Sequence, residues 1–419
     1  MPAFTHPDAF AAFLDRLGLF HMDLGLNRIR ACLDTLGLTR LPYVSMQVLG
    51  TNGKGTTAAY TAALAQAQGV RAGLYASPHF LTPRERIKVD GRMLDDEAWL
   101  AAANAVHAAQ AEPLTYFEVL TAMAALAFAQ AGVDLAVFEA GLGGRSDATT
   151  ALDAQLAVFT PVGLDHQHVI GPTLAHIAAD KAAAMRPGAP ALTAPQDAVA
   201  FEALRAEARA KGVDLKTMAA CLPAWADAVL PPTIGGTYLE QNARLALAAW
   251  TLAAPLLGLQ PEQDAAAGAL ARCTVPGRLQ RVPGEAGAFP DLILDGAHNP
   301  AGLRALGKSL QAMGVSPAAV VFTCLADKDL DAMAGEVRQL AAGPVLVPGL
   351  PGVERARPAV QVAEAVGKIA RTAPDLARAL AAVEPACRDT GRPALVCGSL
   401  YLLADFFTLR PLSLDSGPA

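Results

Sequence analysis

No C-x-x-C pair occurs anywhere in this chain. Its six cysteines, Cys32, Cys221, Cys273, Cys324, Cys387 and Cys397, are scattered, which argues against a zinc site and fits packing residues in a reducing compartment. Tracts of lysine or arginine are also missing, and a formal net charge of −6 argues against nucleic acid as a partner. The longest apolar run, Leu245 to Leu259, falls short of the ~18 residues of a membrane span and contains Pro255, so it reads as a buried helix and no membrane partner is expected. The opening "MPAFTHPDAF" lacks a cationic segment followed by an apolar one, which makes the cytoplasm the expected location. Short-period repeats are absent, which disfavours a solenoid. Charged residues are few, 17% against 53% hydrophobic, so the chain has ample material for packed cores and is not disordered. At 419 residues it exceeds the size at which one core stops growing, and two or three domains are expected.

Short β-branched runs alternate with alanine-rich helical stretches. "VSMQVLG" (44–50), "VRAGLYAS" (70–77), "DLAVFEAG" (134–141) and "AQLAVFTPVG" (154–163) form one series, and the alternation predicts βαβ units around a parallel sheet. A second series, "DLILDGA" from Asp291, "AAVVFTCL" (318–325), "GPVLVPGL" (343–350) and "RPALVCGS" (392–399), predicts a second α/β domain. Between them Thr274 to Pro290, rich in glycine and proline, reads as a linker. The tail from Pro411 reads as frayed.

Chemistry begins at "GTNGKGTT" (50–57). It sits between a strand-like run and a proline-free helical stretch, Thr56 to Gly69, in the order strand, glycine loop, helix. The spacing departs from G-x-x-x-x-G-K-[ST], with two residues rather than four before the Gly-Lys pair and Gly55 between Lys54 and Thr56. The mechanism nonetheless fits a phosphate. Glycines let backbone N–H groups converge on an anion, the helix start adds positive potential, Lys54 supplies a charge, and the Thr56 hydroxyl can ligate Mg²⁺. The plainer alternative is an ordinary βα turn with an exposed lysine.

Open α/β sheets bind ligands beyond the carboxyl ends of their strands, and these ends carry polar residues here. "SPHFLTPRERI" places Ser77 and His79 at one end, "EAGLGGRSDATT" places Glu139, Arg145 and Asp147 at another, and "TPVGLDHQHVIG" places Asp165, His166 and His168 at a third. Singly, each has a structural explanation. Together Thr56, Ser77, Glu139 and His166 could complete Mg²⁺ sites beside nucleotide phosphates, with His166 the odd member because Mg²⁺ prefers oxygen. Lys181 follows on an expected helix, where its plain reading is a solvent-facing lysine.

These blocks, with "LEQNARLAL", "PGRLQRV", "LDGAHNPAG", the early "MDLGLNRIRACLDTLGL" and the late "LADKD" and "GSLYLLADF", stand in the order seen in folylpolyglutamate synthase and dihydrofolate synthase, of the Mur ligase superfamily. The resemblance covers nearly the whole chain. It implies a P-loop-type N-terminal ATPase domain with a parallel-rich sheet that binds ATP and pterin over 1–283, and a smaller Rossmann-like α/β glutamate ligase domain over 284–419. It also implies an ATP-dependent amide ligase, working through an acyl phosphate, that adds L-glutamate to a reduced folate, to dihydropteroate, or to both. By resemblance Gly53, Lys54, Gly55 and Thr56 hold the phosphates, Thr56, Ser77, Glu139 and His166 serve the magnesium sites, and Lys181 is the lysine that the family carbamylates. Asn242, Arg278 and Asp295 match nucleotide contacts, and His298 lies toward the phosphate and glutamate end. Asp23, Leu24, Gly25, Phe117, Asp147 and Thr149 match the pterin side. The family commonly has asparagine where this chain has Thr150, and glycine soon after the modified lysine where this chain has "KAAAM". Expected partners are small molecules, and a monomer is expected. A guanine-reading switch protein would need N-K-x-D, and no asparagine here precedes a lysine. The remaining alternative is another Mur-type ligase acting on a different carboxylate.

Overall fold

In the computed structural model, residues 3–18, 21–285 and 289–414 are described. The chain divides into two compact units, one of Met1–Leu230 with Asn242–Ala271, the other of Pro231–Gln241 with Arg272–Ala419.

The first unit is built on eight strands, β1 (Val44–Leu49), β2 (Ala72–Tyr75), β3 (Ile87–Val89), β4 (Arg92–Met93), β5 (Leu135–Glu139), β6 (Leu156–Phe159), β7 (Ala191–Thr193) and β8 (Leu215–Thr217), in the order β4-β3-β2-β5-β1-β6-β7-β8. From β2 to β8 the neighbours pair in parallel, while β3 and β4 add antiparallel. The central strands read as unbroken apolar runs because helices cover both faces: β5 and β6 are buried at every position. One face packs on two clusters, one that includes Phe10, Ile29, Phe128 and Phe138 and one that includes Leu49, Phe159, Met185 and Leu204. The helices that matter below are α1 (Pro7–Leu17), α2 (Asn27–Thr35), α3 (Lys54–Ala67), α4 (Asp96–Ala109), α5 (Tyr116–Ala131), α6 (Gln167–Ile170) and α7 (Leu174–Ala182). The central strand β1 lies between β5 and β6, so the loops leaving β2, β5, β1 and β6 emerge side by side.

The second unit holds six strands, β9 (Gln280–Val282), β10 (Leu292–Leu294), β11 (Ala319–Phe322), β12 (Val345–Pro348), β13 (Ala370–Ala373) and β14 (Ala394–Cys397), in the order β13-β12-β11-β14-β10-β9. All pairings are parallel except β9 with β10. Both sheets are therefore the parallel-rich type the alternation predicted.

Two details differ from the sequence reading. The segment expected to be a linker contains β9, an edge strand too short to show a period. Helix α3 starts at Lys54 rather than Thr56, because Gly53 already occupies the N-cap position. The β3–β4 hairpin turns at Asp90-Gly91, both with positive φ (49° and 76°), a turn that the Asp-Gly pair signals in sequence. The apolar run from Leu245 does lie in a helix, Tyr238–Ala253, continued by a 3₁₀ turn at Ala254–Leu257. Among the described residues no helix is long and apolar enough to cross a membrane. Pro411–Leu414 forms a 3₁₀ turn, and the rest of the tail lies outside the described residues.

Candidate active site

The loop after β1 presents the start of α3 in the way an anion requires. Gly53 has φ 91°, a left-handed conformation that suits glycine, and a side chain there would run into the amide of Asn242. No side chain caps the helix start, so the first amides of α3 keep their donors for another acceptor. Lys54 folds back onto the loop, its Nζ donating to the Thr51 carbonyl at 3.1 Å. The Oγ1 atoms of Thr56 and Thr57 are buried without a hydrogen-bond partner among the described residues. A buried hydroxyl left unpaired costs free energy, which is recovered when a ligand oxygen or cation meets it.

Glu139 ends β5 and is buried (5% exposed). Its carboxylate lies over the start of α3, with Oε2 3.1 Å from where a Cβ at Gly55 would stand, and accepts the Ser77 amide at 2.8 Å. The register of β1 and β5, with Val48 opposite Glu139, puts this carboxylate beside the phosphate loop. His79 takes the structural role weighed for it, since its Nδ1 accepts from Arg86 Nε at 2.9 Å. Burial and then that guanidinium hold its pKa down to about 3, so it is a neutral acceptor. His166 begins α6 with φ 52°, its amide donating to Asp165 Oδ1 at 2.9 Å and its ring 38% exposed.

Lys181 is not the solvent-facing residue of its plain reading: it is 5% exposed, in the last turn of α7. Burial first, then the charge of Lys54, lowers its pKa to about 7, against the smaller opposing pull of Asp147, Asp180 and Asp165. The glycine-rich loop after β5 wraps the end of α7. A Cβ at Gly144 would come within 2.6 Å of the Lys181 carbonyl oxygen, and the amides of Gly144 and Arg145 bond the Asp180 carboxylate and carbonyl at 2.9 and 3.0 Å.

That loop continues into a buried polar network. Asp147 accepts from the Leu142 amide (2.8 Å), the Thr149 amide (3.0 Å) and the Thr149 hydroxyl (2.5 Å), and burial raises its pKa. Gln47, in the middle of β1, donates from Nε2 to Thr149 Oγ1 (2.8 Å) and Thr150 Oγ1 (2.9 Å). Thr150 in turn donates to the Gly144 carbonyl at 2.7 Å, so the residue that departs from the family pattern ties the loop to β1. Sequence reasoning missed Gln47. A buried glutamine in an apolar strand was the available signal. Phe117 stands in the first turn of α5, packed against Gly141 and 5.6 Å from the Tyr75 ring. Asp23, Leu24 and Gly25 precede α2 in an open stretch where Leu24 is 66% exposed.

Within the second unit Arg278, Asp295 and His298 also come together. Asp295, wholly buried at the end of β10, accepts from Tyr238 Oη (2.5 Å), the Leu279 amide (3.0 Å) and the Ala297 amide (2.9 Å), and burial raises its pKa. Arg278 bonds the Gly277 carbonyl at 3.0 Å and occupies the space beside Gly296. His298 Nδ1 meets the Gly296 carbonyl at 2.8 Å, and since a carbonyl only accepts, Nδ1 is the donor.

Among the described residues no group of three His, Cys, Asp or Glu side chains could hold a metal by itself. The donors present near the loop, the orphaned Thr56 hydroxyl and the Glu139 carboxylate, fit a hard divalent ion that takes its other oxygens from a nucleotide.

Residues 48–228 match the model of the Mur ligase middle domain and residues 277–400 that of the Mur ligase glutamate ligase domain. The fold and the loop thus define a Mur-type ligase. The chain is 31% identical over 369 residues to the dihydrofolate synthase/folylpolyglutamate synthase of Bacillus subtilis, covering 79% of this chain and 84% of that one. It is 33% identical over 424 residues to a probable bifunctional folylpolyglutamate synthase/dihydropteroate synthase of Haloferax volcanii, spanning 94% of this chain and 49% of that longer protein. Among solved structures, Escherichia coli FolC in complex with DHPP and ADP superimposes with TM-score 0.83 at 28% identity, covering 98% and 99% of the two chains. A Yersinia pestis bifunctional folylpolyglutamate synthase/dihydrofolate synthase complexed with AMPPNP and Mn ion superimposes with TM-score 0.81, also at 28% identity and 98% and 99% coverage. This chain belongs to the folylpolyglutamate synthase/dihydrofolate synthase family.

Proposed function

We propose that this chain joins L-glutamate to a folate-type carboxylate at the expense of ATP, extending a reduced folate, converting dihydropteroate to dihydrofolate, or both. The observation that carries the reading is the orphaned Thr56 hydroxyl at an uncapped helix start, beneath the buried Glu139 carboxylate. The relatives' complexes with nucleotide, DHPP and Mn support the same reading.

In this account the amides of Gly53, Lys54, Gly55 and Thr56 receive the phosphate oxygens and Lys54 exchanges its bond to the Thr51 carbonyl for the triphosphate. Magnesium, when bound, neutralises phosphate charge, and Thr56, Ser77, Glu139 and His166 are the residues to hold it. The substrate carboxylate attacks the terminal phosphorus, releasing ADP and leaving an acyl phosphate. The glutamate amine then adds to the acyl carbon, phosphate departs, and the ammonium's excess proton is lost to form the amide. Phe117, Asp147, Thr149 and the Asp23–Gly25 stretch take the pterin side, and Asn242, Arg278, Asp295 and His298 the nucleotide and glutamate side. Asp295, already saturated by three donors, acts by ordering the Arg278 loop.

Lys181 fits carbamylation. With its pKa lowered to about 7, a large fraction of the amine is uncharged near neutral pH, as attack on CO₂ requires. The N–C bond forms and the uncharged amine loses one proton, giving an anion with oxygen donors. The working enzyme is expected to be a cytoplasmic monomer.

The test is product analysis with dihydropteroate and tetrahydrofolate offered separately with ATP and glutamate. A glutamylated product from at least one is expected, and ATP turnover that needs neither substrate would defeat the reading.

A further inference from the structure

Both walls of the proposed pterin site trace back to one buried carboxylate. Glu118, 4% exposed in the first turn of α5, makes two different attachments with its two oxygens. Oε2 accepts the Thr115 amide at 2.8 Å while Thr115 Oγ1 accepts the Glu118 amide at 3.3 Å, a reciprocal cap that fixes the helix start and with it the adjacent Phe117. Oε1 accepts Arg28 Nη2 at 3.2 Å. Arg28 then reaches the open stretch before α2, with Nη2 donating to the Asp23 carbonyl at 2.5 Å and Nη1 pairing the Asp23 carboxylate at 2.8 Å.

The exposure rises along this line, from 5% at the Glu118 side chain through 15% at Arg28 to 57% at Asp23, so a rigid anchor holds a wet, irregular segment. Charge at position 118 is not needed for the cap, because glutamine serves at that position of a capping box equally well. A buried ion pair is also a poor source of stability, given the desolvation of both partners. Here the guanidinium leaves its Nε buried and without a hydrogen-bond partner among the described residues. The charge at 118 is therefore explained by what it holds rather than by the fold.

We propose that Glu118 is a positioning residue that sets Phe117 directly and the Asp23–Gly25 stretch through Arg28, giving the pteroate ring a preorganised slot. This rests on the pterin-side assignment above. Its ligand is the flat, hydrogen-bonding ring of the folate-type substrate, not the nucleotide.

The experiment compares Glu118→Gln, which keeps the cap, with Arg28→Lys and Arg28→Ala in the full chain. KM for the pteroate substrate, KM for ATP, kcat and melting temperature are measured, together with amide hydrogen exchange over residues 21–26 without substrate. The expected result is a rise of roughly 10-fold in pteroate KM for Glu118→Gln and more for Arg28→Ala, the range that losing a charge-assisted hydrogen bond produces. ATP KM and kcat stay unchanged, exchange over 21–26 quickens, and Arg28→Lys falls in between because it cannot bridge both partners as a fork. Unchanged pteroate KM in Glu118→Gln and Arg28→Ala, or equal rises in both KM values with a lowered melting temperature, would overturn the proposal. Wild-type protein that turns over neither dihydropteroate nor tetrahydrofolate would instead defeat the functional reading, and the exchange comparison would still report on the anchor.

Discussion

Lys54 and Lys181 are two lysines near one another in a site meant for anions, and their environments separate their tasks. Lys54 donates to a carbonyl of its own loop, and the task proposed for it is to hold the phosphates. Lys54→Ala should cut kcat about 100-fold or more, the size of effect seen when a transition-state charge loses its partner, with little change in melting temperature. Steady-state turnover at saturating ATP checks this. Lys181 gives a signature in stability. Its pKa falls from 10.5 in the unfolded chain to about 7 when folded, so between those values the unfolded chain binds more protons, and folding stability rises with pH across that window. Below about 7 both states are protonated and the burial penalty is complete. In bicarbonate-free buffer, wild-type melting temperature should climb relative to Lys181→Met from pH 7 to higher pH. Parallel curves would contradict the buried, neutral amine. Adding bicarbonate should raise wild-type activity while leaving Lys181→Met unaffected.

At the scale of elements, the loop after β5 works by close approach to α7. A Cβ at Gly144 would meet the Lys181 backbone at 2.6 to 2.7 Å, where neither chain can give way cheaply. Gly144→Ala should cost about 1–3 kcal/mol by overpacking and displace both Lys181 and Asp147. A denaturant titration gives the first, and loss of activity beyond the loss of folded protein gives the second. The elements that could be read from sequence were those buried on both faces: β1, β5, β6, β11 and β14 announce themselves as apolar runs. Strand β8 and strand β13, with exposed polar residues and three or four positions, carry no such period. The glycine loop and the residues at strand ends were legible because their spacing is local. Gln47 and Glu118 were not, since their meaning lies in partners far along the chain, Thr149 and Thr150 for one and Arg28 for the other.

For the whole molecule, two parallel-rich sheets each carry a polar cluster at a strand end, Glu139 with the α3 loop in one unit and Asp295 with Arg278 and His298 in the other. The account assigns them one overall reaction, carboxylate activation followed by amide formation. The most direct measurement uses dihydropteroate and tetrahydrofolate, each labelled with heavy oxygen in its reacting carboxylate, incubated with ATP and glutamate, and mass analysis of both products. The account predicts a glutamylated product and released phosphate carrying one labelled oxygen, with neither formed when ATP is omitted. Unlabelled phosphate, or phosphate release that does not depend on the folate-type substrate, would contradict it.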